Sequence, residues 1–153
     1  MTKLFNGPKN SITDIDGFLV GNAHDDNIKS GVTVLTRSTS FRASVSILGG
    51  APGTKETDLL SPDKIVENID GIVLAGGSAF GLDASSGVMD CLRIQNRGFD
   101  TGAIKVPIVP SAILFDLKNG GLKDWKINPY RDLGRKAFLN ISDNFEIGSV
   151  GAG

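Results

Sequence analysis

The chain has 153 residues, with 16 Lys and Arg, 17 Asp and Glu and one His, for a formal net charge of -1. That length suits one domain, and 40% hydrophobic with 22% charged residues exclude a disordered chain. Near-neutral charge leaves no electrostatic case for nucleic acid or an acidic membrane, no apolar run approaches the ~20 residues of a membrane span, and the single Cys91 excludes an internal disulfide or a Cys-based zinc site.

Met1 to Pro8 contains no apolar h-region, so no signal peptide is expected and a cytoplasmic location is the default. Glycine is high, 20 of 153 residues, about 13% against a typical ~7%. The glycines cluster at 49–53, 76–81, 120–121 and 148–153. Clustered glycine marks backbone that takes positive φ or lets another group approach closely.

Residues 1–10 are polar, broken by Gly7-Pro8, and are expected as a flexible arm; 11–153 form the domain. Phe18-Leu19-Val20 between two glycines predicts a strand, and His24 to Asn27 a polar turn. Val32 to Thr36 is β-branched and predicts a second strand. From Phe41 to Leu48, Phe41, Ala43, Val45 and Ile47 alternate with Arg42, Ser44 and Ser46. That period of two predicts a third, half-buried strand pairing back on the second. Ser61-Pro62-Asp63 carries a cap, a proline and an acid in helix-start order, predicting a helix to about Ile69.

Ile72 to Ala75 is apolar on both faces, as a doubly buried strand is. Gly76-Gly77-Ser78 then turns into a helix predicted from about Ala79 to Asn96, stopped by Gly98. Ile104 to Val109 is rich in β formers but broken by prolines, and Asn128-Pro129 opens a helix to about Ser142 with Leu133, Ala137 and Phe138 inward. Strands and helices mix after the early strands, so the class is α/β (α+β) with one layered core. The closing run Gly148 to Gly153 has no element after it, and the domain reads as truncated at its C-terminus.

The strand–Gly76-Gly77-Ser78–helix junction is the best local candidate for a binding site. Backbone N–H groups at a helix start favour an anion or a polarised carbonyl, and glycine permits close approach. It lacks the spacing of a dinucleotide motif, a Walker lysine or a nucleophile elbow. Its structural alternative is a tight turn with Ser78 as N-cap. His24-Asp25-Asp26 reads as a solvated turn rather than a metal site, and Lys55, Glu56 and Asp58 as surface charges. Trp125 and Tyr130 are too few for a nucleic-acid platform, and Cys91 sits where a helix packs its core. The residues alone describe a soluble domain with a ligand-tolerant glycine turn.

Five blocks in order carry a resemblance: Gly49 to Leu60 (GGAPGTKETDLL), Gly76 to Ala84 (GGSAFGLDA), Gly98 to Gly102 (GFDTG), Val106 to Leu117 (VPIVPSAILFDL) and Gly148 to Gly153 (GSVGAG). Together they resemble the self-processing aminopeptidases of peptidase family S58, which include D-aminopeptidase/esterase, β-peptidyl aminopeptidases and nylon-oligomer hydrolase. The resemblance runs from about Ser11 to the last residue. It implies a four-layer α/β/β/α sandwich, incomplete in this chain. It also implies a precursor that cuts itself and exposes a Ser or Thr nucleophile at a new N-terminus.

The resemblance places that nucleophile, the oxyanion asparagine and a carboxylate beyond Gly153, so no catalytic residue is expected within this chain, which corresponds to the N-terminal, α-chain part. No cofactor or metal enters the scheme. The implied partners are a small peptide or amide substrate, the C-terminal β-chain part of the same precursor, and further copies in a tetramer of αβ units. The substrate-binding residues it implies are Gly76, Gly77, Ser78 and Phe80 on one turn, and Ser149 and Gly151 on the closing loop. Leu48 stands where relatives often carry Arg, which removes one local charge contact. Two other readings remain from the residues: a catalytically inactive remnant serving as a binding domain, and a phosphate-binding domain using the Gly76–Ser78 turn.

Overall fold

The computed structural model describes residues 5–152; Met1 to Leu4 of the expected arm and Gly153 lie outside the described residues. Strand β1 (Phe18–Asp25) and strand β2 (Ser30–Phe41) form an antiparallel hairpin in register from Phe18↔Arg37 to Asp25↔Ser30. Three further strands complete one mixed sheet: β3 (Thr54–Lys55), β4 (Ile69–Ala75) and, after a separate two-stranded hairpin of β5 (Phe99–Asp100) and β6 (Lys105–Val106), β7 (Ser111–Ile113). The sheet order is β1-β2-β4-β7-β3, and only β4 and β7 run parallel. Helices α1 (Ala84–Ile94) and α2 (Tyr130–Leu139) cover one face. The fold is therefore mixed α/β.

Side-chain alternation in the central strands decides which face is covered. Val32, Val34, Val73 and Ala75 point to the helices and are fully buried with Val88, Leu92, Leu133, Ala137 and Phe138. Their neighbours in the same strands face the other way: Leu35 and Ile72 are half-buried and Leu74 is 47% exposed. The expectation that Ile72 to Ala75 is buried on both faces is thus corrected: among the described residues the second face of β4 is covered only at Ile72, which packs against a smaller cluster, while Leu74 is exposed. That cluster of Phe41, Ile69 and Ile108, with Leu59, Leu60 and Val66 also packed against it, closes one end.

The third predicted strand is absent. β2 runs through from Ser30 to Phe41 and stops, and residues 43–48 make no backbone hydrogen bond among the described residues. Val45 and Ile47 are 45% and 43% exposed, so the alternation of Phe41 to Leu48 finds no strand to pair with here. The helix predicted from Ser61 is also absent: Ile65 is 89% exposed, while Ile69 pairs with Phe41 as the first residue of β4. A helix of two turns is marginal, and the ladder competes successfully for Ile69. A 3-10 turn at Thr57–Leu60 precedes it instead.

The predicted helix from Ala79 divides into a 3-10 turn (Ser78–Asp83) and α1. Its stop is Asn96, at φ 55, two residues ahead of Gly98. Arg97 N donates to Leu92 O at 3.0 Å, the C-terminal bond that caps a helix once one residue turns left-handed. β7 was concealed by Pro110, yet a proline at a strand entry costs no ladder bond, and Val73 N already donates to Pro110 O at 3.1 Å. Lys55 is not a surface charge: it is half-buried and donates to Ser85 and Ser86 on α1 at 2.9 and 3.1 Å. Cys91 packs in the core as expected. Lys9, at the end of the expected arm, pairs with Asp143 at 2.8 Å.

α1 and α2 cross where neither carries a side chain. A Cβ on Gly87 would collide with the Arg131 carbonyl, and one on Gly134 with the Ala84 carbonyl. In an isolated helix Gly→Ala stabilises by ~1 kcal/mol. Here the sign reverses, because backbone cannot move aside and overpacking costs about 1–3 kcal/mol. Gly87→Ala should therefore lower the urea midpoint of the encoded protein, whereas Ala at the exposed Asn96-side position Gln95 should leave it nearly unchanged.

Candidate functional site

The Gly76–Gly77 turn lies at the C-terminal end of β4, where a β–α junction delivers backbone to the sheet's end. Gly77 has φ 81 and Ser78 φ 53, two successive left-handed residues. Gly76 N donates to Gly31 O at 2.9 Å and Ser78 N to Leu114 O at 2.9 Å, which stitch the turn to β2 on one side and to the segment after β7 on the other. Ser78 does not cap: Gly77 occupies the cap position and no side-chain cap bond forms.

Asp116 is the centre of this turn. Its carboxylate accepts from Gly77 N at 2.7 Å and from Ser30 Oγ at 2.5 Å. Ser30 Oγ is in turn 2.7 Å from the Tyr130 hydroxyl. Since Ser30 gives its only proton to Asp116, Tyr130 is the donor to Ser30. Tyr130 is fully buried at the start of α2. Burial pushes its phenol up from the ordinary value, and the charge of Asp116 adds to that rise.

The two glycines leave no empty space. A Cβ on Gly76 would strike Asp116 and Ser30, and one on Gly77 would strike the Tyr130 ring. Both are buried, so the protein's own side chains occupy the room that glycine provides. Ser30 and Asp116 were not singled out from the sequence, and Tyr130 was weighed only as an aromatic beside Trp125. Asp116 stood inside the Val106 to Leu117 block, but nothing in a one-dimensional pattern places it against Gly77, 39 residues away.

Two clefts flank the junction. One, of about 450 Å³, is lined by Ser30, Asp116, Lys29, Phe115 and by Ser149 and Gly151 of the closing loop. The other, of about 430 Å³, is lined by Phe80, Trp125, Leu117, Lys123 and Asn128. Phe80 is 52% exposed and meets Trp125 edge-on at 5.8 Å, and Trp125 meets Tyr130 at 6.3 Å. The structure thus brings Ser149 and Gly151 to the first cleft and Phe80 to the second, with Gly76 and Gly77 buried between them and Ser78 half-buried beside them. A larger hollow of about 520 Å³ between α1 and the β5–β6 hairpin is walled by side chains such as Arg93, Ile94, Asn96 and Ile104, exposed and without a buried polar group. His24 is exposed on the rim of the first cleft; it and Asp25 close strand β1, paired with Gly31 and Ser30, so the turn expected from His24 begins only at Asp26, with Asn27 N donating to Asp25 at 2.8 Å.

The chain matches peptidase family S58 over residues 10–153. An uncharacterised aminopeptidase of Mycobacterium tuberculosis is 41% identical over 152 residues, covering 94% of this chain and 43% of that one. The 6-aminohexanoate-oligomer endohydrolase of Paenarthrobacter ureafaciens is 32% identical, covering 92% of this chain and 36% of that one. Among solved structures, the L-aminopeptidase D-Ala-esterase/amidase of Ochrobactrum anthropi, described as a variant of the Ntn hydrolase fold, superposes with a TM-score of 0.68 at 22% identity, over 99% of this chain and 46% of that one. The chain therefore spans under half the length of the relatives it matches.

The Asp116–Ser30–Tyr130 arrangement predicts a pH signature. This chain has one tyrosine, so its phenolate absorbance reports Tyr130 alone. A folded-state pKa raised above the unfolded value means that the neutral phenol's contribution to stability is complete below the ordinary ~10 and is lost as pH rises through the raised value. In Asp116→Asn the carboxylate's charge is gone, and the Tyr130 titration should move down towards the ordinary value. The measurement is ultraviolet absorbance against pH on the folded protein, with other tyrosines of the encoded protein subtracted by a Tyr130→Phe control.

Proposed function

The chain belongs to peptidase family S58, and we propose that it is the N-terminal, α-chain portion of a self-processing amidohydrolase whose Ser or Thr nucleophile lies downstream of these residues. The observation that carries this reading is the coverage: the family match takes in residues 10–153, while the chain makes up only 43% and 36% of its aminopeptidase and oligomer-hydrolase relatives. The uncovered apolar face of β2 and β4 supports it, with Leu74 47% exposed where a second layer would pack. Fully burying one such side chain is worth ~1.5–3 kcal/mol.

The chemistry proposed is attack on an amide carbonyl. The nucleophile's hydroxyl oxygen adds to the carbonyl carbon, and its proton passes to the new terminal α-amine, whose reference pKa of about 7.7–8.0 suits a base at neutral pH. The tetrahedral intermediate then expels the amine leaving group, which takes that proton, and water later releases the acyl enzyme. The residues of this chain contribute walls. Phe80 and Trp125 offer an apolar aromatic surface, and the Asp116–Ser30–Gly77 bonds hold the turn that presents it. The substrates proposed are peptides with a free N-terminus or aminohexanoate-type oligomers, acted on by the α-chain together with its downstream β-chain in an oligomer of αβ units.

Two outcomes are expected. The intact mass of the purified encoded protein should resolve into two chains, the second beginning with Ser or Thr, while residues 1–153 expressed alone should turn over no p-nitroanilide or aminohexanoate amide. In the processed protein, Phe80→Ala should lower kcat/KM by roughly 10–100-fold if the ring covers substrate, following the ~1.5–3 kcal/mol burial value of a phenylalanine. Ser78→Ala should leave the melting temperature unchanged, since no cap bond is lost. A single uncut chain without activity would favour an inactive remnant that serves as a binding domain. Unchanged kcat/KM in both variants would confine this turn to a structural role.

A further inference from the structure

Beyond α2 the chain returns along the free edge of β1 and then onto the sheet face that the helices leave open. Ser142 bridges Val20, with N–H···O bonds in both directions at 2.9 and 3.0 Å. Asn22 Nδ2 then donates to Glu146 O at 2.9 Å. At the far end, Ala152 N donates to Thr33 Oγ1 at 3.1 Å, and Thr33 Oγ1 donates to Asn22 Oδ1 at 2.7 Å. Asn22 and Thr33 are direct cross-strand partners, and both alternate with residues that face the helices. One side-chain pair therefore grips both ends of the 146–152 loop.

The fit is close. A Cβ on the buried Gly151 would strike Thr33 Oγ1 and Asn22 Oδ1, and a Cβ on Gly31 would strike the Gly151 carbonyl. The same loop places Ser149, Gly151 and Ala152 on the wall of the cleft that holds Ser30 and Asp116. The Thr33 hydroxyl is the shared atom: it gives its proton to Asn22 and receives one from Ala152.

We infer that Asn22 and Thr33 are positioning residues that lay the 146–152 loop across the open sheet face and so set where the following chain enters the Ser30–Asp116 cleft. The inference rests on the proposed reading of this chain as the N-terminal portion of a self-processing enzyme. Neither residue touches reacting atoms; each acts through the loop. Thr33→Val keeps the shape and strand propensity of the side chain while removing both hydrogen bonds, and Thr33→Ser keeps the hydroxyl.

The experiment uses the complete encoded protein and two readouts, deuterium uptake by the peptide covering 147–152 and the rate of self-cleavage by intact mass. Thr33→Val should speed exchange and slow cleavage by roughly tenfold or more each, as the loss of its two part-buried hydrogen bonds implies. Thr33→Ser should stay within about twofold of wild type in both. Asn22→Asp, which frees Glu146 but leaves the acceptor for Thr33, provides the second variant should Thr33→Val not fold, and it too should expose the loop to exchange. Wild-type exchange and cleavage in Thr33→Val, or a Thr33→Ser indistinguishable from a defective Thr33→Val, would overturn the clamp. If the wild-type protein never cleaves itself, the proposed processing falls, and the exchange data alone still decide the clamp.

Discussion

One carboxylate organises the end of the sheet at which both clefts open. Asp116, on the segment after β7, takes the Gly77 amide from the β4 turn and the Ser30 hydroxyl from the start of β2, and through Ser30 it reaches Tyr130 at the start of α2. Three segments distant in sequence meet at its two oxygens, and a fourth joins through Ser30. A hydrogen bond to a charged acceptor is stronger than a neutral one, and an unpaired buried partner is costly, so the cluster holds as a unit. The glycines at 76 and 77 follow from it: any side chain there would displace Asp116, Ser30 or Tyr130. The turn is thus a rigid support rather than an empty cradle, and Phe80 reaches solvent because that support is fixed behind it.

The helix layer and the sheet meet the same kind of demand. α1 and α2 approach backbone to backbone at Gly87 and Gly134, which lets both helices reach the apolar face of β2 and β4. The opposite face carries Leu35, Ile72 and Leu74; among the described residues it is met only by the small cluster of Phe41, Ile69 and Ile108, against which Ile72 packs, and by the loop gripped at Asn22 and Thr33. An antiparallel sheet can leave one face to water when that face is polar. Here the uncovered face is partly aliphatic, and the chain is under half the length of its relatives. The proposed reading of this chain as part of a longer enzyme accounts for both facts at once, with the cover supplied by residues outside these 153.

Local rules succeeded where the signal is local. The strands β1, β2 and β4, the inward face of α2 and the buried Cys91 all follow from β-branched runs or helical spacing, though the pairing of β1 with β2 does not. They failed where a partner decides. The Phe41 to Leu48 alternation is a valid strand pattern without a partner strand. The Ser61 cap and proline sit before a stretch whose Ile69 is claimed by a ladder to Phe41. Ser78 bears a capping side chain, but the left-handed backbone at 77 and 78 puts it inside the turn. Phe80, Ser149 and Gly151, which line the two clefts, stand in the blocks that carry the family resemblance. The roles of Ser30, Asp116, Tyr130, Asn22 and Thr33 were not legible in the sequence, because each is an ordinary polar residue whose meaning is a contact at long range.

The sequence by itself determined the mixed α/β class, the family and the glycine-rich blocks, since composition, periodicity and ordered motifs are properties of one dimension. Only the tertiary structure decided which side chains fill the glycine spaces, which face of the sheet is covered, and where the last residues run. Those are questions of pairing between distant segments. Hydrogen-bond direction and the room for a single Cβ settle them, and neither quantity exists until the chain has folded.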